Sequence, residues 1–153
     1  MIVYRLSRSV YAQDLSGKGA EKAGGRWNSK GVAVVYTSSS RALCVTEIAV
    51  HTPLGILPLD YYLVTIEIPD SVDIYDLTTV KLPKDWKSIP HSGSTQKLGD
   101  QFIRENKYLV MKVPSAVVQG DFNYLINPFH KDFSRVKIIS TERFSFDNRL
   151  FLK

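Results

Sequence analysis

Short apolar runs separated by turn residues dominate the hydrophobic pattern of this chain. Val32-Ala33-Val34-Val35-Tyr36-Thr37 is continuous and rich in β-branched side chains, which predicts a buried strand. Residues 2–6 predict a first strand, and residues 59–68 a long one closed by Pro69-Asp70. A short strand is expected at 72–77. Others are expected at 108–113, 115–119, 124–126, 136–140 and 143–146, separated by turn residues. Ser38-Ser39-Ser40 supplies an N-cap for a helix that runs to about His51, and Pro53 stops it. A second helix is expected at 95–106, weakened by Gly99. Residues 13–29 are glycine-rich and polar, and read as a long loop holding at most one short helical turn. Loops of that length in compact domains are usually functional. Residues 81–94, with Pro83, Pro90 and Gly93, read mostly as loop. Strands dominate without a regular strand–helix alternation, so the expected class is α+β with a mostly antiparallel or mixed sheet.

The 153 residues contain no internal repeat, low-complexity tract or linker, which predicts a single domain over 1–153. Cys44 is the only cysteine, so no intrachain disulfide or thiolate metal cluster can form. A reducing, cytoplasmic setting is expected. The N-terminus lacks the pattern of a signal peptide, and no apolar run approaches ~20 residues, so no membrane partner is expected. The net charge of +5 is unevenly spread: +4 over residues 1–30, −5 over 31–80 and +6 over 81–153. Positive flanks suit an anionic partner such as a nucleotide, a nucleic acid or an acidic protein; a solvated mixed surface is the plainer alternative.

Glu47 is the first candidate for chemistry. From Ala42 to Val50 only Thr46 and Glu47 are polar, and a helix apolar nearly all round is expected to be buried. A carboxylate there must be paired or hydrogen-bonded. It either binds a ribose hydroxyl and supports an oxocarbenium-like transition state, or it is a structural partner of an arginine. Arg26 follows Gly24-Gly25, whose conformational freedom lets backbone approach a ligand, and precedes Trp27-Asn28. Arginine grips phosphate bidentately; the alternative is a surface arginine beside a core tryptophan. The ring of Tyr36 suits stacking on a base, or it is a core tyrosine with a satisfied hydroxyl. Ser115, placed by Pro114 at the start of an apolar run, suits phosphate binding or placing a nucleophile. No Gly-x-Ser-x-Gly elbow surrounds it, which argues against a hydrolase triad. Asn127, held extended by Pro128, either points at a site or starts a turn. His51, His91 and His130 have no metal-ligand spacing, and no metal site is expected.

Several segments in order resemble the RES domain, named for an arginine, a glutamate and a serine. They are Tyr4-Arg5-Leu6, the stretch Leu15-Ser16-Gly17-Lys18-Gly19-Ala20 with Gly24-Gly25-Arg26-Trp27-Asn28, and Val34-Val35-Tyr36-Thr37-Ser38 with Ala42 and Glu47. Val113-Pro114-Ser115-Ala116, Asn123-Tyr124, Asn127-Pro128-x-His130 and the closing Phe144-x-Phe146-Asp147-x-Arg149-Leu150 complete the pattern. The resemblance implies an ADP-ribosyltransferase-like fold, with a split, mostly antiparallel sheet, few helices and a cleft for NAD. It implies the toxin half of a bacterial toxin–antitoxin pair that consumes NAD as substrate and carries no permanent cofactor. Arg26, Tyr36, Glu47 and Ser115 would be its catalytic residues, and Arg26, Asn28, Tyr36, Ser115 and Asn127 would contact NAD. The implied partner is a cognate Xre-like antitoxin in a higher-order complex, with nucleic acid met only through that antitoxin. A transferase acting on a protein is the alternative. A basic RNA-directed toxin, suggested by a pI of 9.3 and eight tyrosines, lacks a histidine pair for acid–base work. An inactive interaction domain is the last alternative.

Overall fold

The computed structural model describes residues 1–152, apart from the side chain of Thr79. Its strands are β1 (Ile2–Arg8), β2 (Val35–Ser38), β3 (Tyr61–Glu67), β4 (Ile74–Asp76), β5 (Val110–Pro114), β6 (Phe122–Ile126) and β7 (Lys137–Phe144). They form one seven-stranded sheet in the order β4-β5-β6-β2-β1-β3-β7. Only β4 and β5 run parallel; the other pairings are antiparallel. The α-helices among the described residues are α1 (Lys18–Ala23), α2 (Arg41–His51) and α3 (Gly93–Glu105). The α+β class and the mostly antiparallel sheet are as expected.

The sheet is split between β1 and β2. β1 pairs with β3 from Ile2↔Glu67 to Arg8↔Tyr61, yet it meets β2 only at Tyr4↔Ser38. β2 is instead laddered to β6, from Val35↔Ile126 to Ser38↔Asn123. The two half-sheets are thus joined through one residue pair, and the seam between them is where a cavity can form.

Strand periodicity places neighbouring residues in different cores. Val35, Val110 and Ile126 join Val3, Val64 and Ile66 in one cluster. Val34, Met111 and Leu125 join Trp27, Val113 and Phe102 in another. Each such side chain contributes ~1.5–3 kcal/mol when fully buried. Trp27 thereby anchors the glycine-rich loop, and Phe102 anchors α3, in the same core.

Four expectations are corrected. Residues 115–119 form a turn, because Ser115 Oγ accepts from the Val117 and Val118 N–H groups at 3.1 and 3.0 Å. A side-chain oxygen that captures nearby amides competes with a strand ladder. Strands expected at 136–140 and 143–146 are one strand, β7, since Thr141 and Glu142 continue the pairing with Val64 and Leu63. Regular pairing in the 32–37 run begins at Val35. Finally, α2 is not buried all round: Leu43 and Cys44 are its buried residues, and Val50 is 56% exposed. Its Ser40 cap is as expected, with Oγ accepting from the Leu43 N–H at 3.0 Å.

Candidate active site

A cavity of about 770 Å³ opens at the split in the sheet. That volume suits a small-molecule site, typically ~300–1,000 Å³. One wall is β1, through Tyr4, Arg5 and Leu6; the next is β2, through Tyr36, Thr37 and Ser38. The glycine loop adds Gly24 to Trp27, α2 adds Cys44, Glu47, Ile48, Val50 and His51, and the segment after Trp86 adds Ile89, Pro90 and His91. Ala116, Val117 and Asn123 complete it. The apolar face of α2 is therefore largely cavity wall and exposed surface. A smaller hollow of about 200 Å³ between α3 and Tyr75 and Tyr108 holds none of the expected site residues.

Glu47 reaches the cavity from the middle of α2 and is half-buried. Its Oε1 accepts from Ser115 Oγ at 3.1 Å and from Asn123 Nδ2 at 2.8 Å. Among the described residues Oε2 accepts no hydrogen bond and no arginine pairs with Glu47, so the structural ion pair considered above is not formed. Asn123 is itself fixed, since its Oδ1 accepts from Ser38 Oγ at 2.8 Å. Two neutral donors thus orient the carboxylate while one oxygen remains available.

Ser115 is 2% exposed and lies behind Glu47 rather than among the cavity-lining residues. Its hydroxyl donates to Glu47 and accepts from two amides, so it is fully engaged. Ser115, expected to bind phosphate or place a nucleophile, meets the cavity through its hydrogen bond to Glu47.

The glycine loop is built around Tyr36 and Asn28. The Tyr36 hydroxyl donates to Asn28 Oδ1 at 2.7 Å and accepts from the Trp27 N–H at 3.1 Å. Burial pushes the phenol pKa well above its ordinary value and outweighs the opposing Trp27 N–H, so the group stays neutral. Asn28 is fully buried and donates from Nδ2 to the carbonyls of Ala20 and Val32, both at 2.9 Å. It is a brace for the loop and does not line the cavity. Gly25 must be glycine: a Cβ there would lie 2.7 Å from the Tyr36 hydroxyl and 3.0 Å from Asn28 Oδ1. Gly24 has φ +70° and turns the chain out of α1.

Arg26 leaves this braced loop along the cavity wall. Its Nη1 donates to the carbonyls of Trp86 at 2.7 Å and Ser88 at 3.1 Å, and among the described residues Nε and Nη2 make no hydrogen bond. Arg5 is a second guanidinium on the wall, tied by Nη1 to the Asp14 carbonyl at 2.6 Å. Desolvation lowers its pKa while Asp14 raises it. Two guanidiniums beside a single carboxylate favour a ligand with anionic and electron-poor parts.

Asn127, expected to contact the ligand, is not among the residues that line this cavity. It is fully buried, donates from Nδ2 to Asn106 Oδ1 at 2.8 Å, and accepts from the Phe129 N–H at 2.9 Å. It fixes a turn against the end of α3. Asn123, Arg5, His51 and His91 were not singled out as site residues by sequence reasoning. His51 follows Glu47 by one helical turn, and its Nδ1 lies 2.7 Å from the Glu47 carbonyl. The signal for Asn123 was its opposition to Ser38 across two strands, which needs the pairing to be known. No three His, Cys, Asp or Glu side chains among the described residues converge as a metal group. None of the described helices is long and apolar enough to cross a membrane.

Known proteins are similar to this chain in sequence and in fold. The Prs ADP-ribosylating toxin of Sphingobium sp. (strain YBL2) is 40% identical over 149 residues, covering 96% of this chain and 92% of the relative. Toxin Res of Pseudomonas putida is 38% identical over 155 residues, covering 99% of this chain and all of the relative (100%). Toxin Res of Photorhabdus laumondii is 37% identical over 153 residues, covering 98% and 97%. In fold, the chain is similar to one from the crystal structure of the M. tuberculosis MbcT–MbcA toxin–antitoxin complex. That likeness has a TM-score of 0.75 at 23% identity, over 94% of this chain and 84% of that one. With residues 2–147 matching the RES domain, and with toxins of that type identical at more than a third of positions, this chain belongs to the RES domain family.

Proposed function

We propose that this chain is the toxin of a toxin–antitoxin pair and that it cleaves the nicotinamide–ribose bond of NAD. One observation carries the reading. Glu47 is oriented by Ser115 and Asn123 through Oε1, with Oε2 unengaged, on the wall of a cavity that also carries Arg5 and Arg26. Nicotinamide leaves from a cationic pyridinium as a neutral molecule, so departure needs little acid assistance. The demand falls on the ribose, which develops oxocarbenium character and is stabilised by a fixed carboxylate in a partly desolvated site.

In this reading Glu47 Oε2 accepts from the nicotinamide-ribose hydroxyls and faces the developing positive charge. Arg26 binds the pyrophosphate through Nε and Nη2, and the Tyr36 ring packs on the nicotinamide side. Ser115 and Asn28 act from behind, one through Glu47 and the other through the Arg26 loop. The acceptor is water, inorganic phosphate or a protein side chain. The last is a second reading, favoured by the 40% identical relative named an ADP-ribosylating toxin. A cognate Xre-like antitoxin in the cytoplasm is the proposed partner, supported by the presence of the structural relative in a toxin–antitoxin complex.

The test is NAD loss by chromatography with purified protein, with and without phosphate, beside Glu47→Gln. Loss that disappears in folded Glu47→Gln is the expected result, and the products name the acceptor. A folded Glu47→Gln protein with undiminished NAD loss would refute the role of the carboxylate. No loss from folded wild type, even with candidate acceptors, would refute the reaction.

A further inference from the structure

Helix α3 devotes one of its faces to the backbone of the Arg26 loop. Thr95 and Gly99 are one turn apart, as are Gln96 and Asp100, so the four share a side of the helix. Thr95 Oγ1 donates to the Arg26 carbonyl at 2.6 Å. Gln96 Nε2 donates to the Gly25 carbonyl at 3.0 Å and the Asn28 carbonyl at 3.2 Å. Asp100 accepts from the Ser29 N–H at 2.9 Å and from Ser29 Oγ at 2.6 Å. Gly99 brings the helix so close that an added Cβ would stand 1.6 Å from the Trp27 carbonyl oxygen. Every residue from 25 to 29 therefore meets α3 through its main chain.

Packing of the helix does not require this. α3 is already anchored in the core through Phe102, with Leu98 and Ile103 against the same cluster. Polar side chains aimed at a loop backbone add something else: they fix where that backbone runs. From the other side the Tyr36 hydroxyl holds the Trp27 N–H. The Arg26 side chain leaves from between these two clamps and is steadied at its far end by the carbonyls of Trp86 and Ser88.

We propose that α3 positions Arg26: Thr95, Gln96 and Asp100, with Gly99 allowing their approach, set the path of residues 25–29, and anion binding in the cavity depends on that grip. The proposal rests on reading the cavity as an NAD site. Thr95, Gln96 and Asp100 are positioning residues, since they touch the loop and not the ligand. Binding energy for an anion depends on a guanidinium already in place; a loose loop must be ordered at the moment of binding, which weakens affinity. Chemistry at Glu47, on a different element, is little changed once NAD is bound.

Thr95→Val tests this, because Thr95 is fully buried and the change removes the donor while keeping the shape. Thr95→Ser restores the donor. KM for NAD, Kd by calorimetry in a Glu47→Gln background, kcat and amide exchange over residues 25–29 are measured together. The expected result is KM and Kd raised roughly tenfold with faster loop exchange, as for loss of a bond that leaves a buried acceptor unpaired. kcat is expected to stay within about twofold, the pattern of lost uniform binding. Thr95→Ser should return all of these towards wild type. A folded Thr95→Val with wild-type Kd and wild-type loop exchange overturns the proposal, as does a fall in kcat with KM unchanged. If Thr95→Val fails to fold, Gln96→Ala is read by the same criteria. If wild type neither binds nor consumes NAD, the functional reading fails on its own. Loop exchange then decides the grip: unchanged exchange overturns it, and faster exchange reversed by Thr95→Ser supports it.

Discussion

Replacing Tyr36 by phenylalanine keeps the ring on the cavity wall and removes one oxygen. That oxygen donates to Asn28 Oδ1 at 2.7 Å and accepts from the Trp27 N–H at 3.1 Å. Asn28 is fully buried and Trp27 is 3% exposed, so water has little room to replace it. Two polar groups are left unpaired, each at a cost of ~1–3 kcal/mol, partly offset because the buried phenol no longer has to be desolvated. A net loss of ~2–3 kcal/mol follows. For 153 residues that lowers Tm by ~5–10 °C. The same two bonds hold the chain from Gly25 to Asn28, so KM for NAD should rise more than kcat falls. Thermal melts followed by circular dichroism, beside steady-state NAD kinetics, measure both effects. An unchanged Tm would refute the claim that this hydroxyl braces the loop. An unchanged Tm with kcat reduced ~100-fold or more would place the hydroxyl in the chemistry itself.

Asn127→Ala should lower stability by ~1–3 kcal/mol, because the Phe129 N–H and Asn106 Oδ1 lose a buried partner, while kcat and KM below the melting range stay as in wild type. A raised KM in this variant, at temperatures where it is folded, would return Asn127 to the ligand site. Burial pushes the Cys44 thiol up to about 11, against bonding with Ser38, which lowers it. At pH 8 it therefore holds ~100-fold less thiolate than an ordinary thiol of pKa 9.0, and native protein should resist iodoacetamide although Cys44 lines the cavity. Fast alkylation of folded protein would contradict this. Because the folded pKa is the higher one, the neutral thiol's stabilisation is complete below about pH 9 and lost as pH rises to about 11. Cys44→Ala should flatten that limb in denaturant titrations.

The chain's local patterns identified much of what the site is made from. Ser40 was legible as the cap of α2 because capping involves residues three apart. The run through Val35 and Tyr36 was legible as a strand because β-branched residues favour that backbone. Glu47 stood out as a carboxylate in an apolar helix, and Arg26 as a cation on a glycine hinge. Each signal comes from neighbours in sequence, where chain connectivity already fixes the distances.

What holds these groups came from elsewhere. Glu47 is oriented by Ser115, 68 residues away, and by Asn123, 76 residues away. Both reach it only because β6 lies beside β2, and strand order is not written in the period of either strand. Apolarity of α2 predicted burial, yet one face borders a cavity that exists only where β1 and β2 meet at Tyr4 and Ser38. Gly99 read as a weak point in a helix, whereas its missing Cβ is the space into which the Trp27 carbonyl fits. Ser115 and Asn127 drew notice as a hydroxyl and an amide that could reach a ligand, and both are buried and hydrogen-bonded to neighbouring residues. The sequence by itself determined which residues are unusual for their local element. Tertiary structure alone decided which of them face the cavity and which stand behind it. Side-chain partners across a sheet depend on which strands pair and in what register, and that is settled by burial of the whole core at once.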